Sequence, residues 1–306
     1  MINTPQVFLI YNRVKVVFLK WIISSSLAQS PRPTLRDVEE ISRYFTGVVN
    51  LLSEAEKPFE VINALRARGV EVFHAPTSDF HPVELVHVLG SINFIEKRLE
   101  AGGRVLVHCS GGVGRSSQVT ASYLVYMGYD LFSAVKYLRG IIDGALEVKW
   151  QIQLLEDFAD LLDSIGRSRV RNLYSDLQKS RGWKELLHAF KLLQFTIELA
   201  RIMNLEKRIV EEALKEITEG KDRLESAGLD KSSNILRLAE ELDYDMSSRV
   251  VVLDGVVDSG LLELRILCDT PCEDIASRVR GLAGRIVLPG LRGLNVEVGS
   301  YMDYVF

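Results

Sequence analysis

Residues 104–126, RVLVHCSGGVGRSSQVTASYLVY, decide the fold. In the first five, RVLVH, an apolar, β-branched VLV stands between Arg104 and His108, which predicts a short buried strand. From Ser117 to Tyr126 the residues Val119, Tyr123 and Tyr126 fall on one helical face, which predicts a helix. Cys109, Ser110, Gly111, Gly112, Val113 and Gly114 lie between them as a small, glycine-rich turn that delivers Arg115 and Ser116 to the start of the helix. Such a turn wraps an anion: glycines allow backbone angles that aim successive N–H groups inward, and the following helix contributes its positive end.

Upstream, residues 47–52 (GVVNLL) and 69–73 (GVEVF) are short β-branched runs. Residues 58–67 between them space Phe59, Ile62 and Leu65 as a helix does. A loop, APTSDFHPVE (75–84), leads to an amphipathic helix over about 85–99, stopped by Gly102 and Gly103. Strands alternating with helices predict an α/β fold with a central, mostly parallel sheet flanked by helices. Ligands of such sheets sit beyond the carboxyl ends of the strands, where His108 hands over to Cys109. Further helices are expected over 131–139 and 150–165, and Gly166 closes the unit. Residues 168–245 read as packing helices, with Leu186, Phe190, Leu193, Ile197 and Ala200 as an apolar stripe and Glu, Lys and Arg elsewhere as a solvated face over an intramolecular core. After Ser247, RVVVLDGVV, LLELRILCD and LNVEVG read as strands and CEDIASRVRGLA as a helix. The expected domains are therefore 1–166, carrying the loop, and 167–306, mostly helical to 247 and a small α+β element over 248–306.

The chain has 306 residues and 47% hydrophobic content, enough for a large core and more than one compact domain usually holds. A net charge of −4, spread over both halves, excludes a nucleic-acid tether by bulk charge. Residues 14–23 are apolar-rich, but Lys15 and Lys20 interrupt them. Two strands joined near Asn12 and Arg13 are expected there rather than a cleaved leader. No stretch approaches a membrane span. Three cysteines make no disulfide framework, and a working Cys109 must be a reduced thiol, so a cytoplasmic setting is expected.

Amide dipoles and Arg115 around Cys109 are expected to lower its pKa from about 8.5 toward roughly 3.5 to 7.5, giving a thiolate nucleophile. The Arg115 fork suits two equatorial phosphate oxygens, a geometry a lysine point charge lacks. His108, Cys109, Gly112, Arg115 and Ser116 together make HCxxGxxRS, which resembles the signature of protein tyrosine and dual-specificity phosphatases, here of the small, atypical, archaeal-like kind. Five residues separate Cys109 from Arg115, one more than rhodanese-type loops usually have. A phosphate loop of the Walker A kind needs lysine where Arg115 stands.

The resemblance extends over about 28–160 and implies a phosphocysteine mechanism with no metal or cofactor. In it Cys109 is the nucleophile, Arg115 and the residues 110–114 bind phosphate, and Ser116 assists departure of the thiolate. It implies Asp79 as general acid, with His81 second, and Gln151 as the residue that positions water, with Gln153 the other candidate. His108 is expected to orient the loop. The segment AQSPRP (28–33) resembles the family's substrate-entry segment. Ser117 and Gln118 depart from the pattern, which has glycine and a small residue there. The loop holds no lysine, which favours a phosphorylated protein or peptide as substrate over inositol phosphates; phosphorylated metabolites and a phosphate-binding adaptor are the alternatives.

Residues 167–306 match nothing in that family and are a candidate region for a protein partner or self-association. Cys268 and Cys272, a CxxxC pair without a nearby histidine, read as small core residues rather than metal ligands. His74, His87 and His188 read as packing residues.

Overall fold

The computed structural model describes residues 19–219, 231–283, 288 and 290–305. The strands expected around Asn12 and Arg13 lie outside them. The chain divides into two compact units, Met1–Leu155 and Glu156–Phe306.

In the first unit β1 (Lys20–Ile23), β2 (Leu27–Ser30), β3 (Gly47–Leu52), β4 (Glu71–Thr77) and β5 (Val105–His108) form one sheet in the order β1-β2-β5-β3-β4. β1 is antiparallel to β2, and the other pairs are parallel. β5 sits centrally and is buried along its whole length, as the apolar run of Val105, Leu106 and Val107 before His108 favours. Helices α1 (Val38–Tyr44), α2 (Phe59–Ala67), α3 (Leu85–Glu100), α4 (Arg115–Tyr126) and α5 (Leu131–Ile141) follow in chain order, and α6 (Lys149–Ile165) spans the division between the units. On one side Ala28, Val48 and Leu106 of the sheet pack with Val38 and Ile41 of α1 and Val61 and Leu65 of α2. Each of these Val, Ile and Leu side chains contributes about 1.5–3 kcal/mol on burial. The seven-residue α1 has no counterpart in the sequence expectations. β4 runs four residues beyond the expected run, to Thr77, which brings the loop after it to the end of the sheet.

In the second unit α7 (Arg167–Ser180), α8 (Trp183–Ile202), α9 (Arg208–Glu219) and α10 (Lys231–Leu242) precede β6 (Val250–Asp258), β7 (Leu261–Cys268), α11 (Glu273–Ala283) and β8 (Gly293–Ser300). β6 and β7 form an antiparallel pair, and β8 adds parallel to β7 after the α11 crossover. The helical region followed by a small α+β element is as expected, with one difference. α8 is buried nearly all round instead of showing a charged solvated face. Its polar side chains serve β6: Lys191 Nζ donates to Val250 O (2.9 Å), Gln194 Nε2 to Val251 O (3.3 Å), and Glu198 Oε2 accepts from Leu253 N (2.8 Å). Buried polar groups are tolerated there because each is paired with backbone. Cys268 and Cys272 are buried, but they form a disulfide, which corrects their reading as separate core residues. The turn from β7 into α11 brings their Cα atoms to 6.5 Å, within bridging range. Among the described residues no helix is long and apolar enough to cross a membrane.

Candidate active site

β2 and β5 end together, and β3 between β5 and β4 continues two residues further, to Leu52. Ser30 of β2 and Asn50 of β3 flank His108 of β5, so Pro31 and Cys109 emerge side by side at the carboxyl edge of the sheet, next to Leu51 near the end of β3. The loop of residues 109–114 then turns into α4, whose first residue is Arg115, two residues earlier than the sequence pattern places the helix. Cys109 is a free thiol, only 2% exposed. Gly112 N–H points at its Sγ at 3.2 Å, and Ser116 Oγ lies 3.3 Å from the same sulfur. The loop is fastened at both ends: Arg32 N donates to Ser110 O (2.9 Å) and Leu146 N to Val113 O (3.3 Å).

Gly112 has φ +71°, and a Cβ there would lie 2.5 Å from Pro31 N and 2.7 Å from Ser30 C, both backbone atoms that cannot swing away. At Gly111 a Cβ would meet open space. Gly112→Ala is therefore expected to cost roughly 2 kcal/mol or more in a urea-unfolding measurement and to displace the N–H aimed at Sγ, whereas Gly111→Ala is expected to cost far less.

Arg115 is 1% exposed and bonded on several sides. Nη1 donates to Glu56 Oε2 (2.8 Å), Thr77 O (2.6 Å) and Leu51 O (3.3 Å); Nη2 donates to Glu56 Oε1 (3.1 Å) and Asp79 Oδ1 (2.8 Å). Glu56 thus holds the guanidinium through both carboxylate oxygens, the strong bidentate form. Burial works against the charged form of Arg115, but the Glu56 bond and the charges of Cys109, Glu56 and Asp79 outweigh it and raise its pKa. Burial likewise raises Glu56, yet the bonds from Arg115 and Ser53 hold it below the usual carboxylate range. Glu56 is a site residue the sequence reasoning missed. Its local signal is the capping box SEAE, in which Ser53 N donates to Glu56 Oε2 at 2.8 Å.

Asp79 lies in the turn after β4, its side chain 51% exposed, with Oδ1 on Arg115 as described. The ring Nδ1 of His81 lies 3.0 Å from Asp79 O, so His81 is tied to the main chain of this turn. Gln118, one of the two departures from the family pattern, clamps the same loop to α4: Val83 N donates to its Oε1 (2.7 Å) and its Nε2 donates to Val83 O (2.9 Å).

Gln151, in the first turn of α6, is fully buried. Its amide oxygen and nitrogen lie 3.0 and 2.7 Å from where a Cβ on Gly114 would stand, so it is Gln151 that abuts the loop; Gln153 is half-buried two residues further along α6. Glu147, also missed from sequence, lies with Oε1 2.8 Å from the same point. Burial and the nearby Asp79 charge raise its pKa against the pull of Arg115.

His108 is wholly buried, with Nδ1 3.4 Å from Cys109 O, which suits its expected place beside the loop. Burial, with the positive charges of Arg32 and Arg115, depresses its pKa from 6.5 to about 4 although the Cys109 carbonyl favours protonation. The neutral imidazole is thus the folded form. Its contribution to stability is complete above pH 6.5 and lost as pH falls toward 4, a difference of roughly 3 kcal/mol. Denaturant unfolding at several pH values is expected to show a shallower slope over that window for His108→Gln than for wild type.

Gln29, Ser116, Ser117 and Thr120 form a buried polar cluster beneath the loop. Gln29 Nε2 lies 2.9 Å from Gly112 O, 3.0 Å from Ser116 Oγ and 2.9 Å from Ser117 Oγ, its two hydrogens serving the carbonyl and the pair of hydroxyls, while Thr120 Oγ1 donates to Gln29 Oε1 (2.7 Å). In the AQSPRP segment Ala28, Gln29 and Ser30 belong to buried β2, so Pro31–Pro33 alone extend past the sheet.

The dual specificity phosphatase, catalytic domain family matches residues 31–158. The Arabidopsis thaliana phosphatidylglycerophosphate phosphatase PTPMT2 is 26% identical over 167 residues, 52% of this chain and 73% of that protein. Dual specificity protein phosphatase 26 of Bos taurus is 39% identical over 83 residues, 26% of this chain and only 37% of that protein. Among solved structures, the active form of Tk-PTP is 34% identical, covers 46% of this chain and 96% of its own, and superposes with a TM-score of 0.45.

Proposed function

Residues 31–158 belong to the dual-specificity phosphatase catalytic-domain family, a class of phosphoric monoester hydrolases, and from that premise we propose that the chain dephosphorylates proteins on tyrosine or serine/threonine through a phosphocysteine at Cys109. The observation that supports this most is the convergence on one sulfur: Gly112 N–H and Ser116 Oγ contact Cys109 Sγ, and Arg115 stands fixed by Glu56 beside Asp79.

Substrate phosphate brings two negative charges to Arg115 against the single charge of Asp79. It displaces the carboxylate from the Nη2 edge, and Asp79, released from the cation, takes a proton from solvent and stands next to the leaving oxygen. The Cys109 thiolate attacks phosphorus in line as the P–O bond breaks, and the leaving oxygen takes the Asp79 proton. Loop amides and Arg115 hold the equatorial oxygens throughout. In the second step water attacks phosphorus and passes its proton to the Asp79 carboxylate, Gln151 orients that water, and the P–S bond returns its electron pair to Sγ. The Ser116 hydroxyl donates to the departing thiolate.

Purified protein is expected to release phosphate from phosphotyrosine peptides in the presence of EDTA, and Cys109→Ser is expected to release none. The likeness to a phosphatidylglycerophosphate phosphatase supports a second substrate class, lipid phosphomonoesters. A panel of phosphopeptides, phosphatidylglycerophosphate and inositol phosphates, ranked by kcat/KM, decides between them. The need for a free Cys109 thiol supports a cytoplasmic setting, whereas the Cys268–Cys272 bond weighs toward an oxidising one. Residues 167–306 are proposed to dock a partner or a second copy, which light scattering of the full chain at rising concentration tests.

A further inference from the structure

Two groups contact the Cys109 sulfur, the Gly112 N–H, which donates at 3.2 Å, and the Ser116 hydroxyl at 3.3 Å. Both belong to groups held by one side chain. Gln29 Nε2 has two hydrogens: one goes to Gly112 O, and the other is shared between Ser116 Oγ and Ser117 Oγ. The amide cannot be turned round, because the Gly112 carbonyl only accepts, and Thr120 Oγ1 donates to the opposite, oxygen end at 2.7 Å. A hydroxyl that accepts from Gln29 keeps its own hydrogen for another acceptor, and the nearby sulfur is that acceptor. The departure of Ser117 from the family's glycine places a second hydroxyl beside Nε2, which shares with Ser116 Oγ the hydrogen not taken by Gly112 O. All four side chains are buried, in surroundings where such a network is worth more than in water.

We propose that Gln29 is a positioning residue for the second half of the reaction: by donating to Ser116 Oγ it turns the Ser116 hydroxyl toward Cys109 Sγ, so that this sulfur is hydrogen-bonded as the P–S bond breaks. The inference rests on the phosphocysteine mechanism proposed above. Gln29 touches neither phosphate nor the leaving group, so its effect falls on breakdown of the intermediate and not on its formation.

Rapid-quench kinetics with p-nitrophenyl phosphate separates the two steps. Wild type is expected to form a phosphocysteine. Gln29→Met, similar in volume but without donors, is expected to form it at nearly the wild-type rate and to hydrolyse it about tenfold more slowly, so that a burst of nitrophenol precedes slow turnover; hydrogen bonds to charged groups carry effects of that order. In a Ser116→Ala background the same change is expected to add nothing to the breakdown rate, because the two residues act as one unit. Thr120→Val, which frees the amide from its far end and also removes the hydroxyl's contacts to Ser116 O and Ser117 O, is expected to shift breakdown in the same direction by less. Equal slowing of both steps, an undiminished effect of Gln29→Met in the Ser116→Ala protein, or wild-type breakdown in both Gln29→Met and Thr120→Val would overturn the proposal. Absence of phosphocysteine from wild type would instead remove the mechanism beneath it.

Discussion

Arg115→Lys is expected to lower kcat/KM by roughly 10³-fold or more, the scale on which loss of an arginine at a transferring phosphoryl group acts. Lysine supplies one ammonium in place of a fork, and cannot keep the Glu56, Leu51 and Thr77 contacts while also presenting donors to two phosphate oxygens. Glu56→Gln is expected to cost less, about tenfold, since the neutral amide still accepts from Arg115 while one charge-assisted pair is weakened. Stopped-time assays over a range of substrate concentrations read both. A lysine variant within tenfold of wild type would mean that the guanidinium is structural rather than a phosphate clamp.

For Asp79→Asn the expected change is a fall in kcat of about 10²- to 10⁴-fold with poor leaving groups such as phenyl phosphate, and a much smaller one with p-nitrophenyl phosphate. A good leaving group needs no proton, so the dependence of rate on leaving-group acidity steepens in the variant. The Asp79–Arg115 ion pair adds a second expectation specific to this chain. Removing a carboxylate that competes with phosphate for Nη2 should tighten inhibition by inorganic phosphate, whereas loss of an ordinary binding residue would weaken it. Weaker phosphate inhibition together with an unchanged leaving-group dependence would remove Asp79 from its assigned place.

What was legible in the sequence was local. The strand, the glycine-rich turn and the helix start lie within residues 104–126, so their periodicities and the spacing of Cys109 and Arg115 carry both fold and chemistry. The missing pieces depend on contacts between distant segments. Glu56 reaches Arg115 across 59 positions and Gln29 reaches Ser116 across 87, and no pattern in a single chain encodes such pairs. The capping box at Ser53 and Glu56 marks a turn but says nothing of the guanidinium on its other side. α1 is too short for its periodicity to stand out. The Cys268–Cys272 bond depends on a turn geometry that spacing alone does not fix. α8 misled for a different reason: Lys191, Gln194 and Glu198 look like a solvated face, yet they lie along β6 and bond its backbone.

The central claim is that phosphate passes through Cys109. Acid quench of the protein during turnover of a phosphotyrosine peptide, followed by digestion and mass analysis, tests it most directly. A phosphate carried on the Cys109 peptide, absent from Cys109→Ser, is the predicted result; turnover with the phosphate on another residue, or undiminished turnover by Cys109→Ser, would contradict it.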